Sequence, residues 1–464
     1  MKFDHKIAVD IDLLKKYDRP GPRYTSYPTA PYFHDKVGTN EYKLNLQQDN
    51  QLKSDEDLSL YFHLPFCDTL CYFCGCNMMV TRDRSKIDAY IDYLKKEIIL
   101  LKKHLNPGRK VIQLHWGGGT PTHLDPGQIR RLGGIIHDYF DFAENAEISA
   151  EIDPRELTKD HLIALRETGF NRCSMGVQDF NEKVQETVSR IQPESLTSKT
   201  IEWVRELDFE SLNLDLMYGL PHQSVNSFEE TLNKIIRLNP DRLAVFNYAH
   251  LPKMFKHQKL IKDEWLPGPD VKLELLKLSI EKLTSSGYVY IGMDHFAKPG
   301  DELTRAMEEG TLYRNFQGYS THAGLNLIAI GITGISMLSR LYVQNFKKLP
   351  DYYQALDDSI LPVSKGIALN EDDILRREVI TQLMCNFYLD KNKVNRKYGI
   401  DFNDYFDDAL HQLAAFEEDN LIKPGKDELR VTSSGRLLIR NIAMCFDYYL
   451  NKKETEKPQF SRTV

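Results

Sequence analysis

Between residues 57 and 255, short apolar and β-branched runs alternate with longer segments whose apolar positions recur every three or four residues. The runs at 58–66, 111–119, 147–153, 172–178, 211–219 and 242–250 read as strands. The segments at 87–105, 126–140, 158–169, 194–207 and 227–238 read as helices, with Thr158, Ser195 and Ser227 as caps near their starts. Six successive βα units require parallel strands joined by right-handed crossovers. A doubly wound sheet and a full or partial β/α barrel both satisfy this α/β pattern. In either, functional groups gather at the carboxyl ends of the strands. A cysteine cluster follows the first run, a Gly-rich turn ends the second, and Glu151, Gln178, Asp215 and Ala249 end the next four.

Outside this core, residues 1–56 hold the string RPGPRYTSYPTAPYF (19–33), whose prolines exclude regular helix or strand. Residues 355–464 read as mostly helical, with a small β element near 429–436. Three parts are expected: an N-terminal extension (1–56), a βα core (57–354) and a helical C-terminal domain (355–464). Hydrophobic residues make up 41% and charged residues 27%, so the chain is globular in composition. Its net charge of −7 gives no reason to expect a nucleic-acid partner. No apolar run approaches the roughly 18 residues of a membrane span. The nearest, 325–338, is broken by Asn326, Gly331, Thr333, Gly334 and Ser336. The first residues lack the apolar stretch and small-residue cleavage site of a signal peptide, so a cytoplasmic location is expected.

Seven cysteines, an odd number in a reducing compartment, point to metal binding or catalysis rather than disulfides. Four fall in one string, CDTLCYFCGC, as Cys67, Cys71, Cys74 and Cys76. Thiolates so close together call for a soft metal centre. A structural zinc site draws two ligand pairs from separate knuckles, and no distant second pair exists, so an iron–sulfur cluster is favoured. The CxxxCxxC spacing resembles the loop by which radical S-adenosylmethionine enzymes are recognised. That resemblance implies that Cys67, Cys71 and Cys74 hold three irons of a 4Fe-4S cluster. The fourth iron then takes the amino and carboxylate groups of S-adenosylmethionine, and reduction releases a 5'-deoxyadenosyl radical. Cys76 is a loop thiol without a role, a substitute ligand, or a mark that separates families.

The glycines of WGGGTPT (116–122) make a tight turn in any protein, but beside a cysteine cluster they also let a zwitterion approach the backbone. Glu151 could then hold ribose hydroxyls or an amine. Gln178 and Arg190 are individually ordinary. Asp215 interrupts the strand LNLDLMYG, where an unpaired buried carboxylate would be costly, so a partner or ligand is expected. Cys173, Cys385 and Cys445 read as packing residues.

Longer strings carry a closer resemblance: GPRYTSYPTA (21–30), YFHLPFCDTLCYFCGCN (61–77), LHWGGGTPT (114–122), EIDPREL (151–157), SMGVQDFN (174–181), LDLMYGLP (214–221), YIGMDHFAKP (290–299), RNFQGY (314–319), KGIAL (365–369) and GRLLIRNIAMCFDYYL (435–450). With these the chain resembles, over essentially its whole length, the oxygen-independent coproporphyrinogen III oxidases. Haem-chaperone relatives, the alternative reading, lack both Cys76 and the GPRYTSYP string.

The resemblance implies a partial (β/α)6 TIM-like barrel, an N-terminal segment over its mouth and a helical C-terminal domain. It implies one 4Fe-4S cluster and two S-adenosylmethionine molecules. Tyr61, Gly118, Glu151 and Ile335 match positions around the cluster-bound molecule. Phe73, Gly119, Thr120, Gln178, Arg190, Asp215 and Ala249 match those around the second, with Arg190 and Asp215 offering a zwitterion opposite charges. The implied reaction converts two propionates of coproporphyrinogen III to vinyl groups, giving protoporphyrinogen IX, with an external electron donor and acceptor. A monomer without membrane or nucleic-acid partners is expected. Arg23 and Arg314 are expected to meet the substrate's propionates. Two positions depart from the family: Asn326 stands where Asp is common, and Gly334 replaces a usual Ala before Ile335.

Overall fold

The computed structural model describes residues 7–53, 56–451 and 460–463. The six apolar runs form β1 (Leu58–Leu64), β2 (Val111–Gly118), β3 (Phe142–Ile152), β4 (Arg172–Gln178), β5 (Ser211–Tyr218) and β6 (Arg242–Asn247). They pair in parallel in chain order. A doubly wound sheet reverses its order at a switch point. No reversal occurs here, and β1 and β6 do not pair with each other, which leaves the winding of a β/α barrel unclosed.

The helices Arg84–Lys102, Pro126–Tyr139, Lys159–Glu167, Glu194–Glu206 and Val225–Leu238 make the crossovers. Two caps sit elsewhere than expected. Ser224, not Ser227, caps the fifth helix, its hydroxyl accepting from the Ser227 N–H at 3.2 Å, and Pro193 rather than Ser195 precedes the fourth. β1 stops before Pro65, which has no N–H to continue the ladder. Phe66–Cys67 then pairs with Met79–Val80 and closes the cysteine loop at its base.

Strand alternation sorts the side chains. Leu60, Phe62, Leu114, Trp116, Ala150, Leu214 and Leu216 are fully buried in the apolar core. The alternate positions are polar, and register aligns them: Tyr61 opposite His115, His115 opposite Ser149, Glu151 opposite Ser174, and Ser174 opposite Asn213. A period of two thus places these polar positions on one face of the sheet, in two adjacent rows.

The sheet is wider than the six runs suggested. β7 (Val289–Gly292) and β8 (His295–Ala297) extend it beyond β6, with β8 antiparallel to β6. β9 (Asn326–Ile330) runs parallel to β1. β10 (Ile335–Met337), β11 (Leu341–Asn345) and β12 (Val363–Ala368) follow it antiparallel. The expected boundary at 354/355 lies inside the helix Leu349–Asp357, and β12 beyond it still belongs to the sheet. After β12, the helices Glu371–Asn386 and Asp407–Glu418 pack in a second core with a three-stranded sheet that includes Glu428–Val431.

The N-terminal segment runs against this second core. Arg440 donates to the carbonyls of Gly21 and Pro22, the Tyr24 hydroxyl donates to Asp447 at 2.8 Å, and the Tyr448 N–H donates to the Tyr27 hydroxyl at 3.0 Å. Backbone bonds join Gly21 to Ser461 and Thr463 to Arg19. Asn326 is buried at the start of β9, and its amide nitrogen lacks a partner among the described residues. At Gly334 an added methyl would stand 3.0 Å from the Ala329 side chain. Among the described residues no helix is long and apolar enough to cross a membrane.

Candidate active site at the strand carboxyl ends

Cys67, Cys71, Cys74 and Cys76 line one wall of a 280 Å³ cavity. Gly118, Gly119, Thr120, Glu151, Gln178, Arg190, Asp215 and Phe73 are among the residues that line the rest. Eight of the eleven expected cofactor contacts therefore meet the cysteine loop in one space. Tyr61 and Ile335 line a neighbouring cavity of 310 Å³, which shares Glu151. Ala249 lines a third and larger one of 900 Å³, together with Arg23.

The loop is held from several sides. The Tyr72 N–H donates to Val188 O at 2.9 Å, Gln258 donates to Phe73 O at 3.0 Å, and His257 Nε2 lies 2.7 Å from Cys74 O. Cys67 Sγ lies 3.3 Å from Thr120 Oγ1. Cys71 Sγ faces two guanidinium groups, Arg155 at 3.4 Å and Arg190 at 3.7 Å. The Cys76 N–H donates to Cys74 Sγ at 3.4 Å, and hydrogen bonding from Cys76 brings the Cys74 thiol down to about 6.

The glycine turn is stitched to the end of β1. Gly119 N–H donates to Leu64 O at 2.9 Å and Thr120 N–H to Phe66 O at 2.8 Å. A methyl on Gly119 would stand 2.7 Å from the Pro65 carbonyl carbon, so this close backbone approach admits no side chain. Gly118 has φ of 123° and donates its N–H to Glu151 at 3.2 Å.

Arg190 departs from the expected arrangement. It is already paired, with Asp153 at 3.1 Å, and also donates to Gly176 O at 2.7 Å. Asp153 takes a second guanidinium, Arg155, at 2.7 Å, and the two arginines hold its carboxyl well below the usual range despite burial. Asp153 and Arg155 were not among the expected contacts; their signal was the string DPRE (153–156), whose Asp ends the third run. Asp215 accepts from Asn213 at 2.7 Å and from Ser174 at 3.4 Å. Burial pushes its carboxyl up to about 7, hydrogen bonds oppose this, and the nearby Glu151 charge adds to it.

Gln178, with φ of 69°, leaves its side-chain oxygen buried in the cavity wall without a hydrogen-bond partner among the described residues. An orphaned acceptor beside clustered thiols is what a ligand-binding wall leaves behind. Among the described residues no three His, Cys, Asp or Glu donors converge on one point as for a single ion. A polynuclear cluster takes its thiolates on separate irons, and the three loop thiols suit that donor set.

The two expected propionate contacts differ in position. Arg23 lines the 900 Å³ cavity, ion-paired with Asp294 and 5.8 Å from the Phe246 ring centroid. Arg314 is buried behind it, donating to Arg23 O at 3.4 Å and stacked over Tyr319 at 4.7 Å, outside that cavity's wall.

The loop, glycine turn and polar strand ends are those of the Radical SAM superfamily, whose family model matches residues 61–235. A second model, the HemN C-terminal domain, matches residues 369–438. The chain belongs to the family of oxygen-independent coproporphyrinogen III oxidases. It is 49% identical over 459 residues to the Escherichia coli K12 protein of that name, covering 99% of each chain. The Helicobacter pylori J99 relative is 44% identical over 458 residues, with 98% of this chain and all of the relative covered. The solved structure of the Escherichia coli coproporphyrinogen III oxidase HemN, described as a radical SAM enzyme, superposes with a TM-score of 0.91 at 48% identity, covering 96% of this chain and 99% of that one.

Proposed function

We propose that this protein carries out oxygen-independent oxidative decarboxylation of two propionates of coproporphyrinogen III, giving protoporphyrinogen IX in haem biosynthesis. The observation that carries the reading is the meeting of the cysteine loop with Gly119, Glu151, Gln178, Arg190 and Asp215 in one cavity beside a larger one. Each propionate gives up one hydrogen atom, one electron and carbon dioxide to become a vinyl group. Two S-adenosylmethionine molecules are consumed, yielding methionine and 5'-deoxyadenosine. An external donor supplies the reducing electrons and an external acceptor takes those the substrate releases.

Cys67, Cys71 and Cys74 would hold the 4Fe-4S cluster, which when bound supplies the one-electron cleavage of S-adenosylmethionine. The protein's own groups bind and orient. Gly118 and Gly119 expose main-chain groups to a zwitterion, and Glu151 stands between the two smaller cavities to take ribose or amine. Tyr61 and Ile335 would flank the cluster-bound molecule. Phe73, Thr120, Gln178, Arg190, Asp215 and Ala249 would surround a second one. Arg190, steadied by Asp153, would receive its carboxylate, and Asp215 its amine. Arg23 would meet a substrate propionate, with Arg314 fixing its backbone. Cys76 is no cluster ligand in this reading.

We divide the chain into an N-terminal cover, a barrel that extends through β12, and a C-terminal domain from about residue 369, where the second family model begins. We also expect a cytoplasmic monomer without membrane or nucleic-acid partners; the net charge of −7 gives no reason to expect nucleic acid. The deciding experiment is anaerobic incubation of reconstituted protein with reductant, S-adenosylmethionine and coproporphyrinogen III. Protoporphyrinogen IX with two 5'-deoxyadenosine per product is expected; absence of both products overturns the reading.

A further inference from the structure

The 900 Å³ cavity has a size suited to an organic ligand, an apolar lining that includes Leu251, Leu273 and Phe460, and several cations in its wall. Most of those cations are spoken for. Lys15 pairs with Asp270 at 2.7 Å, Arg23 with Asp294, and Arg462 with Asp18 at 2.5 Å. Arg440 spends its guanidinium on three backbone carbonyls, of Gly21, Pro22 and Arg462, and among the described residues meets no carboxylate at hydrogen-bond distance.

Lys272 differs from all of these. It stands in the first turn of the helix Pro269–Ser285, and its stem lies across Gly219, where an added methyl would come within 3.1 Å of Cε. Gly219, with φ of 83°, directly follows β5, so the stem runs to the carboxyl end of the barrel. Among the described residues its ammonium has neither a hydrogen-bond partner nor an ion pair, although the side chain is half-buried. Desolvation alone lowers its proton affinity, with no charged neighbour acting on it. A partly buried cation facing an apolar cavity is costly unless a ligand supplies the anion. Burial lowers the proton affinity of Arg23 in the same wall, and the charges of Arg440 and Arg314 add to this, while Asp294 is its ion-pair partner.

We propose that Lys272 binds a propionate carboxylate of the tetrapyrrole within this cavity, with the apolar walls covering the macrocycle. This rests on the coproporphyrinogen reading above and names a contact on the substrate side of the same site. Lys272 lies in no string that carried the family resemblance.

The test is equilibrium binding of coproporphyrin III, the oxidised tetra-acid that does not turn over, to anaerobic holoenzyme with S-adenosylmethionine, followed by porphyrin fluorescence. Its tetramethyl ester serves as the uncharged control. Loss of one charge-assisted hydrogen bond predicts that Lys272→Gln weakens tetra-acid binding about 10- to 100-fold. The ester should bind both proteins alike, Lys272→Arg should retain most of the affinity, and the melting temperatures should agree. Equal tetra-acid affinity of Lys272→Gln and wild type, an equal loss for the ester, or a Lys272→Arg loss as large as that of Lys272→Gln overturns the assignment. If wild type converts coproporphyrinogen III and one of those results is seen, only Lys272 is excluded. If wild type neither binds the tetra-acid nor converts coproporphyrinogen III, the functional reading fails and the assignment falls with it.

Discussion

The Tyr352 hydroxyl donates to the buried Glu97 carboxylate at 2.5 Å, and this pair lies behind the sheet rather than in the site. Glu97 also accepts from the Gly331 N–H at 2.8 Å and the Asn345 amide at 2.7 Å, so it holds the turn between β9 and β10 that leads to Ile335. Burial pushes the Glu97 carboxyl up to about 7, with these hydrogen bonds opposing.

That displacement sets a pH dependence. Between the ordinary value of 4.5 and about 7, folded Glu97 keeps a proton that the unfolded chain has lost. Its contribution to stability is therefore full at low pH, falls as pH rises through that window, and levels off above it. In denaturant titrations from pH 5 to 8, Glu97→Gln should flatten this part of the slope relative to wild type. Glu97→Ala, which strands the Asn345 and Tyr352 partners, should cost about 3 kcal/mol. An unchanged slope in Glu97→Gln would count against the assignment.

Asp215 gives a second pH signature, in binding. With its carboxyl at about 7, the anionic form that an amine requires is scarce at pH 6 and dominant at pH 8. S-adenosylmethionine affinity measured by calorimetry should rise about tenfold over that interval if only the anion binds. Asp215→Asn should bind weakly at every pH, without the rise.

Arg190→Met separates cofactor binding from cluster assembly. Asp153 keeps Arg155 at 2.7 Å in its absence, so the buried carboxylate retains a partner. Iron and sulfide per chain should match wild type while S-adenosylmethionine affinity falls by about tenfold or more. Parallel loss of iron would show instead that Arg190 holds the loop.

The cysteines should divide three against one. Serine at Cys67, Cys71 or Cys74 should abolish the cluster's visible absorbance and its iron. Cys76→Ser should keep both, because serine retains the backbone N–H that donates to Cys74 Sγ and offers a hydroxyl where the Cys76 side chain also hydrogen-bonds Cys74.

The six barrel strands were legible because each is an apolar run closed by Gly, Pro or a polar residue. The flanking strands were not: β8 and β10 have three residues each, too few for any period to register. The cysteine loop and glycine turn could be read locally, since their chemistry lies in adjacent residues. Pairings could not. Arg190 finds Asp153 across 37 residues, from the loop after the helix Glu182–Thr187, which folds back over the ends of β3 and β4. Lys272 sits in the unremarkable helical string PDVKLELLKL, and only the passage of its stem over Gly219 sets it apart.

The moorings of the N-terminal segment also fix an order of events during synthesis. Arg440 bonds to Gly21 across 419 positions, so at roughly 5–20 residues per second the segment waits about 20–80 s for its anchor to leave the ribosome. The cysteine loop and all six barrel strands precede that anchor in the chain. The mooring of the N-terminal segment on Arg440 is therefore made after the chain that carries the cysteines and the whole barrel sheet has been synthesised.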